Sequence, residues 1–209
     1  MAGKVTALKY QKKNRNRVSV YLDGRFAFGL PDVVAVKLKT GQHLSDADIA
    51  RLEREGSAEA AYNRTLDYLS HRPRSRAEIE TYLQKRGFSE EEIESVVMRL
   101  ERAGLLDDEA FARFWVENRE RFRPRGLRAL RYELRNKGIS DQAIERALAG
   151  VDVSDSAYRS ASKKARQLGD VDQQTFYRKL VEYLVRRGFD YEVAREATDR
   201  HWADLQSSG

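Results

Sequence analysis

A short unit recurs three times along this chain of 209 residues and constrains its fold more than any other feature. The copies are residues 83–89, 134–140 and 184–190, and each ends in a basic residue, a glycine, an apolar residue and then Ser or Asp. The glycines lie about 50 residues apart, a period typical of supersecondary repeats rather than of coiled coils. The spacing therefore predicts tandem units that place function along a surface rather than in a pocket.

Each copy has the composition of a turn between two helices. The basic residue favours the negative end of the first helix, and glycine adopts the left-handed conformation that ends it. Ser89, Ser140 and Asp190 then stand where a side chain caps the next helix. Glu92, three residues after Ser89, completes the pattern of a capping box.

From residue 57 onward the apolar residues follow a helical period. Ile93, Val96, Val97 and Leu100, for example, are spaced i, i+3, i+4 and i+7. The same period predicts three helices in each of three repeats. The predicted repeats are residues 57–106, 107–153 and 154–205.

The first 56 residues differ, because two β-prone runs at residues 18–22 and 25–28 flank Asp23-Gly24. A two-residue Asp-Gly link between such runs predicts a hairpin. Residues 5–10 are a further strand candidate, followed by a basic loop at residues 12–17.

Two short helices are predicted after the hairpin. One follows Pro31 over residues 32–39, and the other runs from Ser45 through Arg54 and ends at Gly56. Because an isolated hairpin is only marginally stable, the segment must pack on the helices or on a partner. The predicted fold class is all-α, with three tandem three-helix repeats and a small N-terminal β-hairpin extension.

The composition is compatible with an anionic partner. Thirty-nine basic residues oppose 33 acidic ones, a net charge of +6, which suits a polyanion or an acidic protein surface as well as simple solubility. The absence of cysteine excludes disulfides and thiolate metal sites. Neither a signal peptide nor an apolar run of membrane-spanning length is recognisable, so we expect a soluble, cytoplasmic protein with no membrane partner.

Several segments resemble the RecX family of bacterial recombinase regulators. They are Ser75-Arg76-Ala77-Glu78-Ile79, Arg86-Gly87-Phe88, Ala103-Gly104-Leu105-Leu106-Asp107-Asp108-Glu109-Ala110-Phe111-Ala112, Arg123-Pro124-Arg125-Gly126-Leu127 and Lys137-Gly138-Ile139-Ser140. The resemblance covers residues 57–205, and residues 21–26 resemble the strand extension of longer members. It implies tandem three-helix repeats that bind in the groove of the RecA filament and inhibit its ATPase and strand exchange, with a role in recombination and DNA repair. The third repeat lacks the Arg-Pro-Arg element.

Basic residues concentrate at the break between the first and second helices of the first two repeats. The candidate partner-binding or nucleic-acid-binding residues are Arg72, Arg74, Arg121, Arg123, Arg125, Arg128, Arg131 and Arg135. Arg128, Arg131 and Arg135 share a helix face beside the Leu127, Leu130 and Leu134 stripe. Arginine gives planar contacts to carboxylate or phosphate, although a solvated helix face explains the same pattern. Among the aromatic residues, Tyr132 is predicted to be exposed between Arg131 and Arg135.

Nothing in the sequence indicates an enzyme. His43, His71 and His201 lack ligand spacing, and neither a nucleophile–base pair nor a phosphate-binding glycine loop is recognisable, so no metal or cofactor is expected. The favoured hypothesis is a monomeric regulator of the RecA filament with weak, sequence-independent DNA contact. The alternatives are an autonomous helix-turn-helix-like DNA-binding protein, against which the acidic starts of the helices after Gly87 and Gly138 argue, and a scaffold for another acidic protein.

Overall fold

The computed structural model describes residues 2–12 and 14–207, and most of them are helical. The strands are β1 (Gly3–Gln11), β2 (Asn14–Leu22), β3 (Arg25–Pro31) and β4 (His43–Leu44). The helices are α1 (Asp32–Ala35), α2 (Asp46–Ser70), α3 (Arg76–Gln84), α4 (Glu90–Arg102), α5 (Asp108–Phe122), α6 (Leu127–Arg135), α7 (Asp141–Leu148), α8 (Val153–Gln167), α9 (Gln173–Arg186) and α10 (Tyr191–Ser207).

The described residues form two compact units. Unit 1 comprises the described residues up to Arg74 together with Ile79–Leu106, and unit 2 comprises Ser75–Glu78 together with the described residues from Asp107 onward. Unit 1 holds the strands with the core of the first three helices of the repeat region, and unit 2 holds α5 to α10.

The N-terminal strands form an antiparallel sheet in the order β3-β2-β1-β4. Asp23 and Gly24 both have positive φ, 46° and 80°, as a two-residue type I′ hairpin requires, so the predicted hairpin is confirmed. The third strand is confirmed as β1, but β2 already begins at Asn14, within the predicted basic loop. A four-stranded sheet makes "all-α" too narrow a class: the chain is mostly helical with an N-terminal sheet.

One face of this sheet is buried against α1 and α2. Val5, Val20 and Leu30 from the strands pack with Val34 of α1 and Leu52 of α2 in one apolar cluster. The hairpin therefore obtains from the neighbouring helices the packing that an isolated hairpin lacks.

Helix α2 is much longer than predicted, because Gly56 does not end it. The helix runs for 25 residues with Gly56 buried inside it. A Cβ at Gly56 would lie 2.9 Å from Leu30 Cδ2 and 3.3 Å from Pro31 Cδ, so glycine here lets the end of β3 approach the helix. The predicted boundary between residues 56 and 57 consequently falls inside a helix, and α1 is shorter than the predicted 32–39.

The helices of the repeat region group in threes, each around its own core. The largest buried side chains are Ile79, Leu83 and Leu100 in the first group, Phe111, Leu130, Leu134 and Ile144 in the second, and Phe176, Leu180, Leu184 and Phe189 in the third. Leu83, Leu134 and Leu184 occupy the same place in the three copies of the sequence unit and are fully buried. The predicted three-helix repeats are confirmed.

The repeated glycines end helices as predicted. Gly87, Gly138 and Gly188 have φ of 79°, 76° and 88°. The residue after each glycine donates its backbone N–H to the buried leucine five positions earlier, at 3.4, 3.1 and 3.2 Å, which is the main bond of a Schellman motif. Ser89 and Ser140 then cap α4 and α7, and Ser89 forms the predicted capping box with Glu92.

Candidate partner-binding surface

The candidate surface is built around the break between α5 and α6 in unit 2. Pro124 disfavours a helical conformation at the preceding residue, and Arg123 is extended at φ −153° and ψ 70°. Helix α5 therefore ends at Phe122, and α6 begins after Gly126. We call residues 121–126 the α5–α6 corner. Arg121 and Arg123 are exposed there.

The third repeat holds this corner through backbone contacts. The Gly126 N–H donates to the Arg187 carbonyl oxygen at 3.0 Å. A Cβ at Gly126 would lie 2.0 Å from both the carbonyl carbon and oxygen of Gly188, so no larger residue fits without displacement. Ser160 Oγ also donates to the Pro124 carbonyl oxygen at 3.2 Å. The corner is thus fixed on α8 and on the α9–α10 turn.

Glu133 of α6 lies within ion-pair distance of two basic side chains, Arg119 and Arg125. Its Oε2 accepts hydrogen bonds from Trp115 Nε1 at 2.8 Å and Arg119 Nε at 2.7 Å, while Arg125 Nε lies 3.8 Å from Oε1. Arg119 and Arg125 are both partly buried. Arg125, a predicted site residue, therefore faces an internal carboxylate that joins α5 to α6.

Arg131 and Arg135 are paired with α7. Arg131 makes a bidentate contact with Glu145, with Nε–Oε1 at 2.7 Å and Nη2–Oε2 at 2.9 Å, and Arg135 Nε lies 2.8 Å from Asp141 Oδ1. The guanidinium of Arg131 lowers the pKa of Glu145, and the hydrogen bond to Glu145 in turn raises the pKa of Arg131. At neutral pH both members of the Arg131–Glu145 pair are therefore charged and matched.

Arg121, Arg123 and Arg128 are the least neutralised of the predicted residues. Within the described part of the chain, no carboxylate lies within 4.0 Å of the Arg121 or Arg123 guanidinium. Arg128 is exposed and donates from Nη2 to the Val185 carbonyl oxygen at 3.2 Å. These three side chains keep most of their hydrogen-bonding capacity for a partner.

Two exposed aromatic side chains accompany these arginines. Tyr132, four residues after Arg128 on α6, is 68% exposed, as predicted. Phe122 is 65% exposed, and the Arg121 guanidinium lies 5.2 Å from its ring centroid. Phe122 is not among the residues predicted from the sequence. Its position as the last residue before the helix break was the available signal.

The other two predicted residues, Arg72 and Arg74, belong to unit 1. Arg74 lies over the Tyr68 ring at 3.7 Å and donates to the Tyr68 carbonyl oxygen at 3.4 Å. Arg72 Nη1 donates to the Pro73 carbonyl oxygen at 2.8 Å. All three contacts are local to the end of α2 and the segment that follows it. Six of the eight predicted residues therefore belong to α5, α6 and the corner between them in unit 2, and the other two belong to unit 1.

The described residues contain no group of three or more His, Cys, Asp or Glu side chains arranged to hold a metal ion. His201 is buried, with its ring stacked on Tyr158 at 4.0 Å and its Nε2 2.9 Å from the Tyr158 carbonyl oxygen. None of the described helices combines the length and the hydropathy needed to cross a membrane. What the surface offers chemically is exposed guanidinium and aromatic groups.

Family profiles cover most of the chain. A profile for the Regulatory protein RecX N-terminal domain matches residues 3–45. Profiles for the first, second and third three-helix domains of RecX match residues 61–100, 107–148 and 152–198.

Individual relatives agree with these profiles. The chain is 34% identical over 202 residues to the Regulatory protein RecX of Bacillus subtilis (strain 168), covering 94% of this chain and 76% of that protein. It is 44% identical over 139 residues to the Regulatory protein RecX of Prosthecochloris aestuarii, covering 66% and 91%. A crystal structure of a regulatory protein RecX matches with a TM-score of 0.75 at 28% identity, covering 95% of this chain and all of that one.

Proposed function

The chain belongs to the RecX family of regulatory proteins, and from that membership we propose that it binds the RecA–DNA filament and inhibits its ATPase and strand exchange. The observation that carries the proposal is the pair of exposed arginines, Arg121 and Arg123, without a carboxylate partner among the described residues. A nucleoprotein filament presents carboxylates and phosphates, both of which suit planar guanidinium donors.

The rigidity of the corner supports a binding role. Gly126 and Pro124 are held by backbone and hydroxyl contacts to the third repeat, so Arg121 and Arg123 project from a fixed base. A preorganised base reduces the entropy that binding costs. Arg128 and Tyr132 extend the same surface along α6.

Tandem repeats also suit a partner that itself repeats. Modest contacts from several repeats of one chain act together, because each contact raises the effective concentration of the next. A chain bound across neighbouring RecA protomers would resist the shifts that accompany nucleotide turnover. Inhibition of the ATPase and of strand exchange follows from that restraint.

The test is RecA ATPase on single-stranded DNA, titrated with the full chain and with the double variant Arg121→Ala/Arg123→Ala. Exposed charge-assisted contacts of about 1 kcal/mol each predict at least a tenfold rise in the concentration needed for half inhibition. The matched control is Arg113→Ala/Arg178→Ala, which removes two exposed arginines of unit 2 outside the predicted set. The control should inhibit like the unsubstituted chain.

An equal loss of ATPase inhibition in both double variants would mean that net charge alone governs inhibition, and it would contradict a binding site at the α5–α6 corner. No inhibition by the unsubstituted chain would overturn the proposed function. Unfolding curves for both variants accompany the titration, because exposed arginine substitutions are expected to change stability by no more than about 0.5 kcal/mol.

A further inference from the structure

The first 31 residues of this protein, which span β1, β2 and β3, are strongly basic. Residues 1–31 contain seven basic residues and a single acidic one, Asp23, a net charge of +6 that equals the excess of the whole chain. The remaining residues are balanced overall. The strand region therefore carries the same net charge as residues 119–137, which hold eight basic residues and two acidic ones.

The sheet has one face toward solvent. The register pairs Lys9 with Ser19 and Ser19 with Gly29 across β1, β2 and β3, and pairs Tyr21 with Phe26 in the neighbouring row. Side chains at paired antiparallel positions share a face. None of these residues belongs to the buried cluster on α1 and α2, so these rows define the outer face of the sheet.

This outer face combines aromatic rings with a cation. Phe26 is 60% exposed, and its ring meets the Tyr21 ring edge-on with centroids 6.0 Å apart. Lys9 Nζ lies 5.2 Å from the Tyr21 ring centroid. An open sheet with exposed rings and flanking cations offers a stacking platform for bases and electrostatic contact for a backbone.

Arg15 and Arg17 of β2 add two cations to this region of the sheet. Arg17 Nη2 donates to the Gly29 carbonyl oxygen at 3.0 Å, which lays the guanidinium across β3. A Cβ at Gly29 would lie 2.9 Å from Gln11 Nε2 and 3.4 Å from Arg17 Nη2, so glycine leaves room for these two side chains to lie over β3. Arg15 is exposed near the β1–β2 turn. No carboxylate of the described residues is within ion-pair distance of Lys9, Arg15 or Arg17.

We propose that the outer face of the β1–β2–β3 sheet binds single-stranded nucleic acid, with bases stacked on Phe26 and Tyr21 and phosphates contacted by Lys9, Arg15 and Arg17. The rings favour a single strand, because the bases of a duplex are already stacked on one another. The charge favours a polyphosphate, because seven basic residues meet one acid. The proposed site belongs to unit 1, and the proposal does not depend on what binds the α5–α6 corner of unit 2.

The experiment measures fluorescence anisotropy of a labelled 20-nucleotide oligothymidine with the full chain between 50 and 200 mM salt. Phe26→Ala should weaken binding at least about fivefold without changing the salt dependence, because it removes stacking alone. Lys9→Ala/Arg15→Ala should instead reduce the slope of log K against log salt by about 1.4, since each lost phosphate contact removes about 0.7.

The matched control is Lys163→Ala/Tyr191→Ala, which removes one exposed cation and one 65% exposed aromatic ring from unit 2. It should bind like the unsubstituted chain. Circular dichroism checks that every variant is folded. If Phe26→Ala disturbs the sheet, the change of salt dependence in Lys9→Ala/Arg15→Ala still tests the proposal.

Three outcomes would overturn the proposal. The first is equal binding of the labelled oligothymidine by all variants. The second is displacement of the labelled oligothymidine by polyglutamate as effectively as by unlabelled oligothymidine at equal charge, which would indicate an acidic protein surface as the partner. The third is loss of oligothymidine binding in Arg121→Ala/Arg123→Ala but not in the sheet variants. That last outcome would place the nucleic-acid site at the α5–α6 corner, and the proposed inhibition of the RecA filament would still stand.

Discussion

Alanine at Gly126 is predicted to destabilise unit 2 because it separates two repeats that meet through their backbones. Gly126 has φ −69° and ψ 156°, which alanine adopts freely, so the effect comes from contact and not from backbone strain. The added Cβ would lie 2.0 Å from the Gly188 carbonyl carbon and 2.2 Å from the Phe189 nitrogen. Neither backbone atom can move without moving the α9–α10 turn.

The magnitude follows from three contributions. Displacement of packed backbone costs about 1–3 kcal/mol. Loss of the hydrogen bond from Gly126 N–H to the Arg187 carbonyl oxygen, 3.0 Å long, costs about 1 kcal/mol. Replacement of glycine by alanine restricts the unfolded chain and returns about 0.4–1 kcal/mol. The net loss in the free energy of unfolding is about 1–4 kcal/mol.

The control is Gly150→Ala, in the turn after α7. A Cβ there would meet no atom within 4 Å, and Gly150 is not among the glycines with positive φ. This variant should be unchanged or more stable by up to about 1 kcal/mol. Urea denaturation followed by circular dichroism at 222 nm gives both values. A difference between the two variants below about 0.5 kcal/mol would refute the close approach of α6 to the α9–α10 turn.

Three further predictions concern a helix cap, the α6 stripe and an ion pair. Ser89→Ala should lower the free energy of unfolding by about 1 kcal/mol in urea denaturation, because Ser89 accepts from the Glu92 N–H; no loss would contradict the capping box. Leu134→Ala should lower the free energy of unfolding by about 2–5 kcal/mol, because Leu134 is fully buried. Tyr132→Ala should lower it by no more than about 0.5 kcal/mol, because Tyr132 is 68% exposed, and similar losses in the two variants would contradict this orientation of α6. Arg131→Gln should raise the pKa of Glu145 toward its ordinary value in a carboxyl NMR titration, because the hydrogen bond from Arg131 lowers that pKa in the unsubstituted chain. The stabilisation from the Glu145 carboxylate is present above its unfolded pKa and is lost as pH falls through the lowered pKa of the folded protein. An unchanged titration midpoint of Glu145 in Arg131→Gln would contradict the pairing.

Local sequence signals predicted the repeat region well because each acts over a few residues. The turn glycines, the capping serines and the leucines before them specify helix ends without reference to distant parts of the chain. Gly56 misled for the opposite reason. Its role depends on Leu30 and Pro31, which approach it only in the folded protein. Glycine alone does not distinguish a helix end from a close contact.

The candidate surface was only partly predictable, because sequence reveals charge but not its pairing. The run of arginines around α6 was evident, but its pairing was not. Arg131 and Arg135 pair with Glu145 and Asp141 of α7, and Arg125 of the corner faces Glu133 of α6. The net charge of +6 in residues 1–31 can be counted from the sequence alone. Its meaning depends on the strand register, which places Lys9, Tyr21 and Phe26 on one face.

Site-specific photocrosslinking tests the proposed filament contact most directly. The crosslinker p-benzoyl-phenylalanine is placed at Tyr132 on the proposed surface or at Tyr191 on α10, which are 68% and 65% exposed. With RecA assembled on single-stranded DNA, we predict a crosslinked RecA adduct from position 132 and little or none from position 191. An adduct of equal yield from both positions, or none from position 132 while the chain still inhibits the ATPase, would contradict binding through the α5–α6 corner and the exposed face of α6.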